Sequence, residues 1–559
     1  MLVIEYIAKF LKEYGIKQFF GYQGGAVSSL IKALVETQGM EYIQAYTEQG
    51  AAFYGEAAAR ISDKLSLIIA TNGPGVTNLV SGIANAYLDS IPCLFITGQV
   101  NTTDIRQENI RQNGFQEIDT EKICAPITKY SKTIKNPNDI CFELGKAIYI
   151  ATNGRKGSVV LDIPLDVQNS EIDETKLKEY QFFEIKKEIK NQTVNDVFEM
   201  IMSAKRPLAI AGGGIRLSNS YALFLEFIEN YQVPFVTTLM GLDLFSKYNV
   251  GFSGLYGNTY SNLAINNADL IIVLGSRLAK RQIGINNKSY IKNAKIIQVD
   301  IDENELTHTL NPDVKINCLL KQFFEAMVSR FKCNQSETKS DSEWIIKLQK
   351  WKEKYHNNTF VNKVGLDPVV FIKQISKKIA EDSIVTADVG QNQMWLAQGF
   401  ELKSNQRILN SGGLGCMGFS LPAAIGAKIS NPDKNVIAFM GDGGFQMNIQ
   451  ELQQIKNRGL SIKIFILNNN SLGMIQEVQE KFMNGAFHGT KIGYTAPNIK
   501  DIAYAYGIEY IRIDDKKDIT SDILSNDKAY LIEVCIKNSP SKLLNKYDEL
   551  DLYNYEMRV

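Results

Sequence analysis

The stretch Gly441-Asp442-Gly443-Gly444-Phe445-Gln446-Met447 is followed by a helical pattern to Arg458, the apolar run Ile462 to Leu467, and then Asn468-Asn469-Asn470-Ser471-Leu472-Gly473. Glycines flanking an aspartate, directly after the apolar run Val436 to Met440, predict a tight strand-to-helix turn whose backbone N–H groups approach a bound anion closely. A diphosphate is the expected anion. Asp442 and the Asn468-Asn469 pair fall at the ends of successive predicted strands. A carboxylate, an amide oxygen and a loop carbonyl would therefore meet at one sheet edge, and such hard oxygen ligands suit Mg²⁺ rather than zinc.

Working outward, 559 residues are too many for one hydrophobic core and imply roughly three domains. Lys plus Arg and Asp plus Glu balance at 61 each, which argues against nucleic acid or an anionic membrane as the main partner. No apolar run approaches the roughly 18 residues of a membrane span, and Met1 to Lys12 reads as an amphipathic helix rather than a signal peptide. A cytoplasmic protein is expected. Seven cysteines lie scattered without paired spacing, so free thiols are expected. With three histidines in the chain, a cofactor is a better carrier of the chemistry than a histidine-based centre.

Alternating amphipathic helices and short apolar strands define α/β units with parallel sheets. The first spans 1–175, with strands such as Leu65 to Ala70, Cys93 to Thr97 and Ser158 to Asp162. Lys176 to Asn195 reads as a linker and helix start. The second spans 190–335, with strands at Leu208 to Ala211, Phe235 to Thr237, Leu270 to Leu274 and Lys295 to Val299. Polar Cys333 to Asp341 reads as a surface linker. The third spans 365–540, and the tail 541–559 is expected to pack over a cleft. The fold class is thus three doubly wound parallel-sheet domains, and their similar size suggests duplication at domain level.

The chain resembles the large subunit of acetolactate synthase and its thiamine diphosphate-dependent relatives. Besides the opening motif, the resemblance is carried by Phe20-Gly21-Tyr22, Gly24-Gly25-Ala26, Glu48-Gln49-Gly50-Ala51, Thr97-Gly98-Gln99-Val100, Phe115-Gln116-Glu117, Val389-Gly390-Gln391 and Ser411 to Gly418. It implies a pyrimidine-binding, a central flavin or nucleotide-type, and a diphosphate-binding domain, in that order. It also implies that Glu48 is the carboxylate hydrogen-bonded to the pyrimidine N1′, that Met417 holds the cofactor bent, and that Gln116 belongs to the catalytic group. By itself Glu48 reads as a glutamate beginning a helix, and Met417 as a core methionine. Tyr22, Gly25, Val389, Gly390, Gln391, Asn392, Gly415, Gly443, Gly444 and Met474 are implied cofactor contacts. Asp442, Asn469 and the Ser471 carbonyl are the implied Mg²⁺ ligands. In the family this glutamate reaches a neighbouring subunit's cofactor, so a homodimer or tetramer with sites at the subunit interface is expected.

The middle unit resembles the flavin-binding domain of acetolactate synthases at Gly212-Gly213-Gly214, Thr238-Leu239-Met240, Gly275, Arg277, Arg281, Arg155 and Asp300. Glycines let a backbone approach a dinucleotide and arginines pair with its phosphates. Relatives keep this unit with FAD, with another nucleotide, or with none, so FAD is an expectation, and its role would be mainly structural.

Departures from the family pattern concentrate on the acceptor side. Val478 replaces a tryptophan that shapes the acceptor pocket, Thr47 a histidine, Gln23 a proline, Asn392 a histidine and Leu165 a lysine. The loop Ile105 to Gly114 is longer, and the tail does not match. The expected activity is decarboxylation of pyruvate and transfer of the two-carbon unit to a carbonyl acceptor. A second pyruvate as acceptor would place the chain in branched-chain amino-acid biosynthesis; a nucleotide-linked keto sugar would place it in branched-sugar biosynthesis. Loss of Glu48 or Asp442 would mark a noncatalytic cofactor-binding subunit, and both are present.

Overall fold

The computed structural model describes residues 1–107, 109–183, 187–284, 290–291, 293–333, 343–356, 366–514 and 520–536. The expected tail 541–559 and most of the polar linker after Cys333 lie outside them. Three six-stranded sheets, every neighbouring pair parallel, follow one another along the chain.

The first sheet contains β1 (Gln18–Gly21), β2 (Glu41–Gln44), β3 (Ser66–Ala70), β4 (Cys93–Gln99), β5 (Tyr130–Thr133) and β6 (Val159–Pro164), in the order β2-β1-β3-β4-β6-β5. The second contains β7 (Pro207–Ala211), β8 (Phe235–Thr237), β9 (Asn249–Phe252), β10 (Leu270–Leu274), β11 (Lys295–Asp300) and β12 (Val314–Asn317), in the order β12-β11-β10-β7-β8-β9. The third contains β13 (Ile384–Ala387), β14 (Arg407–Asn410), β15 (Val436–Gly441), β16 (Ile462–Asn468), β17 (Glu509–Ile513) and β18 (Tyr530–Cys535), in the order β14-β13-β15-β16-β18-β17. Counted from its own first strand, each outer sheet has the same order, whereas the middle sheet has the order of dinucleotide-binding folds. The duplication is therefore between the outer units.

Helices cover both faces of these sheets, which is why their central strands are apolar without alternation. Every residue of β3, β4 and β10 is buried. One hydrophobic core joins the first and third units. Its centre is the packing of the helix Glu48–Ser62 on the helix Ser420–Ser430, where a Cβ at Gly426 would lie 2.4 Å from the Tyr54 carbonyl oxygen. Close backbone approach at this crossing requires glycine. Phe53 meets Phe419 edge to face beside it, at 5.3 Å between ring centres.

Element bounds shift slightly from those expected. The motif itself forms the helix Asp442–Met447, and the helical pattern after Met447 forms the 3₁₀ turn Ile449–Glu451 and the helix Leu452–Arg458, with a break between the two helices. The break falls at Asn448, whose side-chain amide leaves the helix to bond the Gly418 carbonyl at 2.8 Å. The first helix runs Val3–Tyr14, because Leu2 is extended and serves as its cap. The helix start expected within Lys176 to Asn195 falls at Asn191, after a 3₁₀ turn at Glu174–Lys176.

Candidate active site

Strands β13, β15 and β16 lie side by side, and the strand order of the third sheet reverses between β13 and β15. Ligands of open parallel sheets bind in the crevice beyond the strand ends at that point. Asp442 opens the helix after β15 and is buried. Its carboxylate accepts the Tyr494 hydroxyl at 2.8 Å and is faced by the backbone N–H groups of Asn469 and Ser471. Burial nevertheless holds its pKa above the ordinary carboxylate range. Asn469 accepts the Ser471 N–H at 3.2 Å and donates to Gln391 Oε1 at 3.2 Å. The structure thus brings Asp442, Asn469 and Ser471 together, with Gln391 next to them.

Across the crevice, Val389 and Gly390 lead from β13 into the helix Gln391–Gly399. Gly390 has φ +147°, a conformation that favours glycine, and Asn392 ties back to the Asp388 carbonyl at 2.7 Å. A Cβ at Gly444 would fall 2.4 Å from Asp388 Oδ1, and one at Gly443 would fall 2.5 Å from Leu472 and 3.4 Å from Met417 Cε. Met417 therefore packs over the Gly443 turn. Met474 is half-buried in the helix Gly473–Phe482 that follows the Asn-rich loop.

The loop Ser411–Gly418 is fastened from two sides. Asp388, fully buried, accepts the N–H groups of Gly418 at 3.0 Å and Ser420 at 2.9 Å, and burial pushes its pKa up to about 7. From the first unit, Asp89 accepts the N–H groups of Gly412 at 3.1 Å and Gly413 at 2.7 Å, while Asn85 accepts the Ser411 hydroxyl. That hydroxyl in turn accepts the N–H groups of Gly415 and Cys416 at 3.1 and 2.9 Å. Gly415 has φ +77°, and a Cβ there would meet only Arg281, at 4.0 Å.

Glu48 is the first residue of its helix, 7% exposed, and accepts the Asn78 side-chain amide at 3.0 Å. A solvent-exposed helix start is thereby ruled out. Thr47 caps the same helix by accepting the Gly50 N–H at 3.0 Å. Gln116 has φ +60° and packs on Gly73, where a Cβ would lie 2.7 Å from the Gln116 carbonyl oxygen. Gly25 faces open space, Tyr22 is 38% exposed, and Phe115 is 85% exposed.

A separate cavity of about 550 Å³ is lined by parts of all three units. Gly213, Gly214, Thr238, Leu239 and Met240 form part of its wall; Arg155, Gly275, Arg277, Arg281 and Asp300 form another. Gly212 packs immediately behind, where a Cβ would lie 2.2 Å from the Gly275 carbonyl oxygen. Two arginines differ from expectation. Arg155 is ion-paired with Asp302 and Glu305, each at 2.9 Å, rather than standing ready as a lone cation. Arg281 points toward Met474, with its guanidinium 4.0 Å from Sδ. Burial raises Asp300 to about 6.

Sequence reasoning missed Asp388, Asp89, Tyr494 and Glu451. Asp388 borders Val389-Gly390 and was within reach of the motif; the other three carry no local signal. The residues present fit a diphosphate and a hard cation: Gly25 and Gly415 leave space a Cβ would enter, and the assembled polar set is oxygen-rich. Among the described residues, no group of three or more His, Cys, Asp and Glu side chains could hold a metal ion by itself.

Glycine turns at the switch point, an oxygen-donor set beside them and a buried glutamate opening a helix define a thiamine diphosphate-binding enzyme. Family models agree: the thiamine pyrophosphate enzyme N-terminal TPP binding domain matches residues 1–123, the central domain 194–327 and the C-terminal TPP binding domain 388–534. The chain is similar to the acetolactate synthase large subunit of Lactococcus lactis, with 40% identity over 538 residues covering 95% of this chain and 91% of that protein. The large subunit from Cyanidium caldarium is 34% identical over 546 residues, covering 95% and 92%. A probable acetolactate synthase large subunit from Methanocaldococcus jannaschii is 34% identical over 553 residues, covering 95% and 91%. The chain belongs to the acetolactate synthase large-subunit family and is a thiamine diphosphate-dependent enzyme.

Proposed function

We propose that this enzyme decarboxylates pyruvate and joins the remaining two-carbon unit to a second pyruvate, giving 2-acetolactate. The observation that carries the reading is the convergence of Asp442, Asn469 and Ser471 beside Gly390-Gln391, with Met417 packed over Gly443. When bound, thiamine diphosphate supplies the nucleophilic carbon and the electron sink that decarboxylation needs.

The chain's own groups divide the remaining work. Asp442, the Asn469 amide oxygen and the Ser471 carbonyl would hold Mg²⁺. Backbone N–H groups at Gly390, Gln391 and Asn392 and the turn Gly443-Gly444 would hold the diphosphate. Gly415 would lie against the pyrimidine, and Met417 would keep the cofactor bent. Glu48 would hold the proton at the pyrimidine N1′, its carboxylate braced by Asn78. Tyr22, Gly25, Gln116 and Met474 would complete the pocket walls. Glu48 and its cofactor would come from different chains of a homodimer or tetramer in the cytoplasm, and the exposure of Tyr22 and Phe115 fits a face covered in the assembly.

The middle cavity would take FAD, with glycines at its floor and Arg277 near its phosphates. The domain limits proposed are 1–175, 190–335 and 365–540. Neither a nucleotide-linked keto sugar as acceptor nor a noncatalytic role is favoured, because relatives named acetolactate synthase align through 95% of the chain. Val478, half-buried, would leave the acceptor pocket without the indole that the family resemblance implies.

Glu48→Gln is the direct test. It should keep thiamine diphosphate bound and slow pyruvate consumption by roughly two orders of magnitude or more; unchanged turnover would remove Glu48 from this role. For the flavin, purified protein should be yellow, and colourless protein that takes up no FAD on reconstitution would contradict the middle-cavity assignment.

A further inference from the structure

Glu451 is a fully buried carboxylate of the third unit, at the end of the 3₁₀ turn that follows the Asp442–Met447 helix. No Lys, Arg or His forms an ion pair with it among the described residues. Its partners are instead on the turn that leads into Glu48. The Tyr46 N–H is shared between both carboxylate oxygens at 3.2 Å, and the Thr47 hydroxyl donates to Oε1 at 3.1 Å. The Tyr54 hydroxyl donates to Oε2 from two turns further along the same helix. A Cβ at Gly50 would fall 2.4 Å from Oε1, so glycine there admits the carboxylate to the first turn.

Holding two units together does not require this arrangement. Apolar packing does so at lower cost than a buried carboxylate without a cation, and the same interface already contains such packing. What the carboxylate adds is direction. Tyr46 and Thr47 immediately precede Glu48, and Thr47 uses one hydroxyl both to cap the Glu48 helix and to donate to Glu451. Asn78 fixes the Glu48 carboxylate itself.

We infer that Glu451 is a positioning residue for Glu48: it fixes the Tyr46-Thr47 turn and so ties the aim of Glu48, which would reach the partner's cofactor, to the third unit of its own chain. The inference rests on the reading of Glu48 as the group that faces the cofactor. Thr47 is one of the departures from the family pattern, at a position where the resemblance implies histidine.

The test uses the full-length holoenzyme loaded with thiamine diphosphate and Mg²⁺. Two readouts are needed: cofactor affinity, from quenching of Trp395, which is buried in the helix that begins at Gln391, and the rate of deuterium exchange at the cofactor C2, by acid quench and NMR. Glu451→Ala is expected to slow exchange about ten- to a hundred-fold while affinity changes less than about three-fold, the pattern of a misaimed group rather than a lost binding site. Thr47→Val should slow exchange in the same direction, and Thr47→Ser should restore it. Exchange at the wild-type rate in Glu451→Ala, or exchange and affinity falling together, overturns the inference. If Glu451→Ala does not fold, the Thr47 pair decides: equal exchange in Thr47→Val and Thr47→Ser overturns it. Glu48→Gln separates the two readings, since wild-type exchange there defeats the Glu48 assignment itself, whereas slow exchange there with fast exchange in Glu451→Ala defeats only the positioning role.

Discussion

The Tyr494 hydroxyl donates to the Asp442 carboxylate across 2.8 Å, tying the segment after Phe482 to the proposed metal loop. The segment is anchored just before that contact. Leu472 N–H bonds the Thr490 carbonyl at 3.1 Å, and the Gln479 side chain bonds the His488 carbonyl at 3.0 Å. Tyr494 thus fixes one oxygen of Asp442, the carboxylate proposed to face the cation. Tyr494→Phe should weaken Mg²⁺ binding by roughly 1 kcal/mol, about five-fold, the usual worth of one hydrogen bond. Calorimetric titration of Mg²⁺ in the presence of thiamine diphosphate checks it, and equal affinity in the variant would show that Asp442 is held by its loop alone.

Arg60 is buried between two carboxylates, Glu56 and Asp89, donating to Glu56 from Nε at 3.0 Å and to Asp89 at 2.7 Å. The same Asp89 receives the N–H groups of Gly412 and Gly413. Arg60→Ala leaves two buried carboxylates without their cation, which costs about 3–5 kcal/mol. Urea unfolding followed by circular dichroism should show that loss. A change below about 1 kcal/mol would mean that water replaces the guanidinium, against the burial seen.

Asp162 supplies a pH test away from the cofactor residues. It is fully buried, accepts Thr97 at 2.7 Å, Gln99 at 3.0 Å and Thr133 at 3.2 Å, and burial raises its pKa from an ordinary carboxylate value to about 7. Because the folded state keeps the proton where the unfolded chain has released it, wild-type stability should fall as pH rises from about 4 to 7 and then level. Asp162→Asn cannot ionise, so its melting temperature should gain on the wild type between pH 5 and pH 7.5. A constant difference over that range would contradict the assignment.

Much of the scaffold is legible in the sequence, and the reason is physical. Parallel strands buried on both faces write continuous apolar runs, so Phe235–Thr237 and Leu270–Leu274 form strands at the expected residues. The proposed metal set is legible because its members sit at the ends of adjacent strands. The short helix Asp442–Met447 and its end at Asn448 are not, since that end is made by a bond to Gly418, in a different loop. Arg155 reads as a phosphate partner, yet Asp302 and Glu305 reach it from the middle unit. Glu451 and Tyr46 meet across 405 positions, a relationship that no local spacing records.

The most direct measurement supplies purified enzyme with pyruvate, thiamine diphosphate, Mg²⁺ and FAD, and follows CO₂ and product together. The account predicts 2-acetolactate, with one CO₂ released for every two pyruvates consumed and no need for another acceptor. One CO₂ per pyruvate with acetaldehyde as product, or turnover only after a nucleotide-linked 4-keto sugar is added, would contradict it.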